Sequence, residues 1–166
     1  YYLAENLAVR AREMAERVSV LTGTNGAAEV DAAIDTLIRF AGWADKFDGS
    51  VRAVPVPGLA LQLNEPIGVI GILCPDDRPL AGFVELVAPA LAFGNRLVVV
   101  PSQTGALAVT DFCQVIETSD LPAGALNIVT GSTRELGRVL AAHADVDMLW
   151  IRHPHLAAEI EAASAE

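Results

Sequence analysis

The fold class that this sequence predicts is α/β: a Rossmann-like open parallel sheet with helices on both faces, preceded by an N-terminal helical hairpin. Three observations carry it. Short, nearly continuous apolar runs at 68–74, 97–100, 125–129 and 148–151 are rich in β-branched residues, the mark of strands buried on both faces. Helical stretches at 80–93, 104–118 and 132–142 separate them, which gives the βαβ rhythm of about 25–30 residues per unit. The composition supports such a core: 52% of the 166 residues are hydrophobic and 19% are charged. A chain of this size buries roughly 68–70% of its unfolded surface.

Ahead of the sheet, Leu3, Leu7, Met14, Val18 and Leu21 recur at helical spacing, with Arg10 interrupting the stripe and Arg12, Glu13, Glu16 and Arg17 opposite. That pattern predicts one amphipathic helix. Gly23 to Gly26 breaks it. Val30, Ile34, Leu37, Ile38 and Ala41 then share one face of a second helix that runs to about Lys46 and ends at Gly49. The pair is expected to pack as a hairpin over 1–50, with the sheet region occupying 51–166. Within the latter, Pro55 and Pro57 mark an extended linker. Leu59, Leu61 and Leu63 alternate with Ala60, Gln62 and Asn64 as a half-exposed strand. A last helical stretch covers 154–165.

The formal net charge is -10, Lys46 is the only lysine, and ten arginines are scattered. No basic stripe forms, so neither a nucleic acid nor an anionic membrane is an expected partner. No apolar run approaches the roughly 20 residues of a membrane span. The opening Tyr1-Tyr2-Leu3-Ala4-Glu5 carries an acid where a secretion signal has basic residues. Cys74 and Cys113 make neither a disulfide framework nor a zinc site, and a reducing, cytoplasmic compartment is expected. The chain starts within a helical pattern without an initiator Met and is expected to be part of a longer polypeptide. Its strand at 148–151 is expected to be an open apolar edge that the remainder of the polypeptide or a partner domain covers, and the chain alone is expected to self-associate.

Open α/β sheets take ligands beyond the carboxyl ends of their strands, which directs attention to Pro75–Pro79, Pro101–Gln103, Thr130–Thr133 and Arg152–Pro154. Neither the GxGxxG fingerprint nor a GxxxxGK[ST] phosphate loop is present. Thr130-Gly131-Ser132-Thr133 can lead a helix N-terminus toward a phosphate, or simply cap that helix. Asp76 and Asp77 are adjacent acids suited to proton or metal work, or to a solvated loop. His143 lies with Asp145 and Asp147 near a helix end, and His153 and His155 flank Pro154 without an evident third metal ligand. Cys74 and Cys113 have apolar neighbours and read as structural thiols. Residue chemistry alone yields a nucleotide-binding-style fold and no catalytic set.

Glu65-Pro66-Ile67-Gly68-Val69-Ile70-Gly71-Ile72, followed by Cys74-Pro75 and Pro79, resembles the aldehyde dehydrogenase superfamily, whose pattern there is approximately EPxGVxGxIxPWNxP. The resemblance continues through Ala41-Gly42-Trp43-Ala44-Asp45-Lys46, Ala88–Ala92, Gly94-Asn95 and Pro101-Ser102. It extends to Leu121–Gly124, Asn127–Gly131 and His143–Asp147. It implies the front half of an aldehyde dehydrogenase-like domain, with NAD or NADP as the family's coenzyme. The departures fall on ligand-touching positions. Asp77 stands where the family has the Asn that helps hold the oxyanion, and an ionised Asp only accepts hydrogen bonds. Val100-Pro101-Ser102-Gln103 replaces KPSE, whose Lys and Glu grip the adenosine ribose. Ile151-Arg152-His153-Pro154 replaces FTGS, whose backbone N–H groups meet the pyrophosphate; His adds a Cβ and Pro has no N–H.

Cys74-Pro75-Asp76, Val100-Pro101-Ser102 and Leu149-Trp150 are most similar to the second, degenerate domain of family-16 aldehyde dehydrogenases. The resemblance therefore implies a non-catalytic domain with a structural or interaction role beside an active aldehyde dehydrogenase domain. The family's nucleophilic Cys and general-base Glu lie past Glu166. Coenzyme binding is expected to be weak or absent, with Cys74, Pro75, Val100, Pro101, Ser102, Gln103, His153 and Pro154 as its degenerate positions. The expected partners are the remainder of the polypeptide, an aldehyde dehydrogenase domain, or further copies in a homo-oligomer. The alternative is the coenzyme-binding part of an active NAD(P)-dependent enzyme that oxidises aldehydes to carboxylic acids.

Overall fold

The computed structural model describes residues 1–164. Helices α1 (Tyr2–Val9), α2 (Ala11–Thr22) and α3 (Gly26–Trp43) come first. A small hairpin of β1 (Ser50–Arg52) and β2 (Ala60–Gln62) follows. The sheet region alternates β3 (Val69–Leu73), α4 (Pro79–Ala92), β4 (Arg96–Val100), α5 (Ala106–Glu117), β5 (Leu126–Ile128), α6 (Thr133–Ala141), β6 (Met148–Ile151) and α7 (Pro154–Ala163). The expected end of the last helix, residue 165, lies outside the described residues.

The four sheet strands are parallel in the order β5-β4-β3-β6. The chain moves outward from β3 to β5, then returns to β6 on β3's other side, so the order reverses at β3. In such sheets the strand ends at a reversal of this kind are the usual ligand position. Among the described residues β6 is an edge strand.

One apolar core joins the N-terminal helices to the sheet: Leu7, Val18, Val30 and Leu37 belong with Ile70, Ile72, Phe83, Leu97, Val99 and Phe112. A smaller cluster of Leu73, Val100 and Ile160 fills the space under α6 and α7. At the amino end of the sheet, retained polar residues hold backbone. Asn95, 7% exposed, accepts from Gly68 N at 3.1 Å and donates to Ala90 O at 3.0 Å. Asp147 Oδ2 accepts from Val69 N at 2.8 Å. A Cβ at Gly68, whose φ is +128°, would lie 2.1 Å from that oxygen, so the carboxylate needs the glycine.

Three local features differ from the sequence reading. The first amphipathic helix is divided at Arg10 (φ -100°, ψ 8°). An arginine in an apolar seam would bury its charge at a cost; the break lets its Nη1 reach Gln114 Oε1 on α5 at 2.7 Å. Ser50–Arg52 is a strand, and Pro55 and Pro57 lie in the connection between two antiparallel strands, with Val51 opposite Leu61. Leu59, Leu61 and Leu63 are 74%, 60% and 71% exposed, more than a half-buried strand allows. The helix–helix turn is as expected: Gly23 is left-handed (φ 71°) and Asn25 caps α3 by accepting from Ala28 N at 3.2 Å.

Candidate functional site

The crevice is bordered by the segments that leave β3, β4 and β6. Cys74 N donates to Val100 O at 3.0 Å and Arg152 N to Leu73 O at 3.1 Å, so the ladder carries these three strand ends as one surface. Thr130–Thr133 leaves β5 at the sheet's far edge, where Ser132 Oγ caps α6 by accepting from Glu135 N at 3.4 Å. His143, Asp145 and Asp147 sit at the opposite end of the sheet, ahead of β6. There Asp145 N donates to His143 Nδ1 at 3.2 Å within a turn.

Val100 is fully buried and packs with Leu73 and Ile160, so it presents no polar group to the crevice. Pro101 and Ser102 are buried as well, while Gln103 is exposed. Ser102 Oγ accepts from Gly105 N at 3.0 Å and meets the Thr104 hydroxyl at 3.3 Å. Both bonds belong to the turn into α5. Gly105 permits that turn to press on the next loop: a Cβ there would meet Pro79 Cβ at 2.2 Å.

After β3, Pro75 is buried while Asp76, Asp77 and Arg78 are exposed. Arg78 is the single non-glycine with positive φ (49°) among the described residues. Its guanidinium forms a two-pronged pair with Glu85, at 2.7 and 2.9 Å, and Glu85 keeps it firmly charged. Arg78 offers α4 no side-chain cap. The cap comes instead from α3: Glu29, 4% exposed, accepts from Leu80 N at 2.8 Å and Ala81 N at 3.2 Å, and from the Thr24 hydroxyl. Sequence reading missed Glu29. Its position in the first turn after Asn25 signals only local capping, not a reach to another helix.

At the end of β6, His153 Nε2 bonds to Cys74 O, and its Nδ1 lies 3.8 Å from Asp76 Oδ2. His153 and Asp76 are thereby brought together, while His155 is exposed. Among the described residues no group of three His, Cys, Asp or Glu side chains is placed to hold a metal ion. Cys74 is fully buried, and burial pushes its thiol up to about 12. Burial also raises the half-buried Cys113, with Glu117 adding to it. Thiolate is the reactive form. Iodoacetamide at about pH 8 is therefore expected to spare Cys74 in the folded protein and modify both thiols in denaturant. Peptide mapping that finds native Cys74 alkylated as fast as Cys113 would contradict the buried-thiol assignment.

No described helix is long and apolar enough to cross a membrane. A sequence model of the aldehyde dehydrogenase family matches residues 2–151. The chain is 39% identical over 147 residues to a hydroxyisobutyraldehyde dehydrogenase of Mycolicibacterium austroafricanum, covering 87% of this chain and 29% of that protein. Human cytosolic 10-formyltetrahydrofolate dehydrogenase is 36% identical over 121 residues, 70% of this chain and 13% of its own. The crystal structure of PnpE from Pseudomonas sp. WBC-3 superposes with a TM-score of 0.94 at 29% identity, over 99% of this chain and 35% of that one. PnpE in complex with nicotinamide adenine dinucleotide superposes at 0.90, with 27% identity over 99% of this chain and 35% of that one. The chain thus spans about a third of the length of these full-length relatives, or less.

Proposed function

The chain belongs to the aldehyde dehydrogenase family, and from that membership we propose that it is the front half of a non-catalytic aldehyde dehydrogenase-like domain. Its role is structural, beside an active aldehyde dehydrogenase domain in a cytoplasmic protein. The observation that supports this reading is what the strand ends offer a coenzyme: their side chains are buried or already bonded within the chain. Val100 is buried beneath Ile160, Ser102 is engaged with Gly105, and His153 is tied to Cys74. These residues do not fit NAD or NADP. No charged group reaches from Val100, and α7 begins on a proline without an N–H. Asp77 brings a carboxylate where an oxyanion needs a donor.

The division into 1–50 and 51–166 belongs to the same proposal, as does the similarity to the second domain of family-16 enzymes. Partners follow from surfaces. The β1–β2 hairpin carries Val51, Leu59, Leu61 and Leu63 at 60–74% exposure, and β6 is an edge. Exposed apolar patches and open edges mark association surfaces. The rest of the polypeptide, an aldehyde dehydrogenase domain, or further copies in a homo-oligomer would cover them.

The alternative reading is the coenzyme-binding part of an active NAD(P)-dependent enzyme. It draws on PnpE, whose crystal structure contains the dinucleotide. Coenzyme titration separates the two, because the alternative requires saturable NAD binding by this chain, whereas the family's nucleophile and base lie past Glu166 on either reading. Purified protein is expected to reduce no NAD with a short aldehyde above a buffer blank. Losing a single oxyanion donor costs roughly 10²–10³ in rate, and neither cysteine of this sequence is placed as a nucleophile. Measurable NADH formation would contradict this, and saturable NAD binding would favour the alternative.

A further inference from the structure

Beyond the donors it lacks, the crevice is closed by one positive contact. The backbone ladder between β3 and β6 ends with Arg152 N donating to Leu73 O. Just past β3, Cys74 O is bonded to His153 Nε2. A carbonyl only accepts, so Nε2 carries the hydrogen. The imidazole therefore links the start of α7 to the segment leaving β3 after the backbone pairing has stopped, at the place where the strand order reverses. The ring is largely covered, at 13% side-chain exposure.

His153 also consumes the amides behind it. Its carbonyl accepts from Leu156 N at 3.0 Å and Ala157 N at 3.1 Å, and Pro154 has no N–H. The His155 amide is left as the one donor of that first turn without a protein partner among the described residues. A helix N-terminus attracts phosphate through such free amides. Here the turn is nearly spent, with one free amide left among the described residues.

We propose that His153 is an internal lock, an autoinhibitory contact that closes the β3–β6 corner to diphosphate ligands by tying the start of α7 to the end of β3. This deepens the reading that the chain binds NAD weakly, and rests on it. The lock makes a specific claim. Supplying a missing amide is not enough while the imidazole stays in place.

Calorimetric titration with inorganic pyrophosphate tests it on the wild type, on Pro154→Ser, and on Pro154→Ser combined with His153→Gly. Bare pyrophosphate needs no adenosine cleft, so the buried Val100 does not enter. Pro154→Ser alone is expected to stay within about threefold of wild type, and the double variant to bind about tenfold tighter or better. A full gain from Pro154→Ser alone, or no gain in a folded double variant, overturns the lock. Should the double variant fail to fold, nitrogen NMR of the wild-type ring decides. A proton on Nε2 is expected, and a ring without a proton on Nε2 overturns the proposal. Tight binding of NAD by the wild type would instead sink the reading of weak coenzyme binding, so the two failures are distinguishable.

Discussion

Glu29→Ala is expected to lower the unfolding free energy by about 3 kcal/mol. Glu29 lies on α3 with 4% of its surface exposed, yet its partners belong to α4 and the turn before α3. Leu80 N and Ala81 N, at 2.8 and 3.2 Å, are first-turn amides of α4. Such amides have no partner within their own helix, and a carboxylate there also suits the helix dipole. Arg78, the preceding residue at the cap, sends its side chain to Glu85. Alanine would leave two buried N–H groups and the Thr24 hydroxyl without their acceptor, each costing about 1–3 kcal/mol and not additively. For a chain of this length the loss corresponds to about 6–12 °C in Tm. Glu29→Gln keeps one acceptor oxygen and is expected to cost about half as much or less. Urea melts of both variants check this; a loss below about 1 kcal/mol for alanine would contradict the capping role.

The parallel sheet was legible because its two central strands are largely buried, whereas β5 and β6 are half-buried. Gly68 to Cys74 and Leu97 to Val100 show unbroken apolar runs, and both are five-residue strands at those places. Ser50–Arg52 was not legible: a three-residue strand with all residues exposed has no periodicity to show. Nor was the break at Arg10, because it answers a partner on α5 that is 104 residues away. At the crevice, the residue types of Val100, His153 and Pro154 could be read directly. Their placement could not. That Val100 lies under Ile160, and that His153 turns back to Cys74 O, depends on how α7 docks on the sheet. Ser102 illustrates the same limit: its hydroxyl could face a ligand in sequence, but its burial and its bond to Gly105 N place it in the α5 turn.

The central proposal is that this crevice does not accommodate a nicotinamide dinucleotide. A missing charged hydrogen-bond partner at Val100 forfeits roughly 1.5–3 kcal/mol. Substituting a lysine alone would not recover it simply, because position 100 is buried among Leu73 and Ile160 and a new ammonium there bears a desolvation cost. The lost amide at Pro154 and the ring of His153 add to the deficit. Each 1.4 kcal/mol or so is a tenfold loss of affinity, so a micromolar site would become about millimolar. Calorimetric titration of the wild-type protein with NAD measures this directly. The account predicts a Kd weaker than about 100 μM or no heat of binding; a saturable isotherm with a Kd below about 100 μM would contradict it.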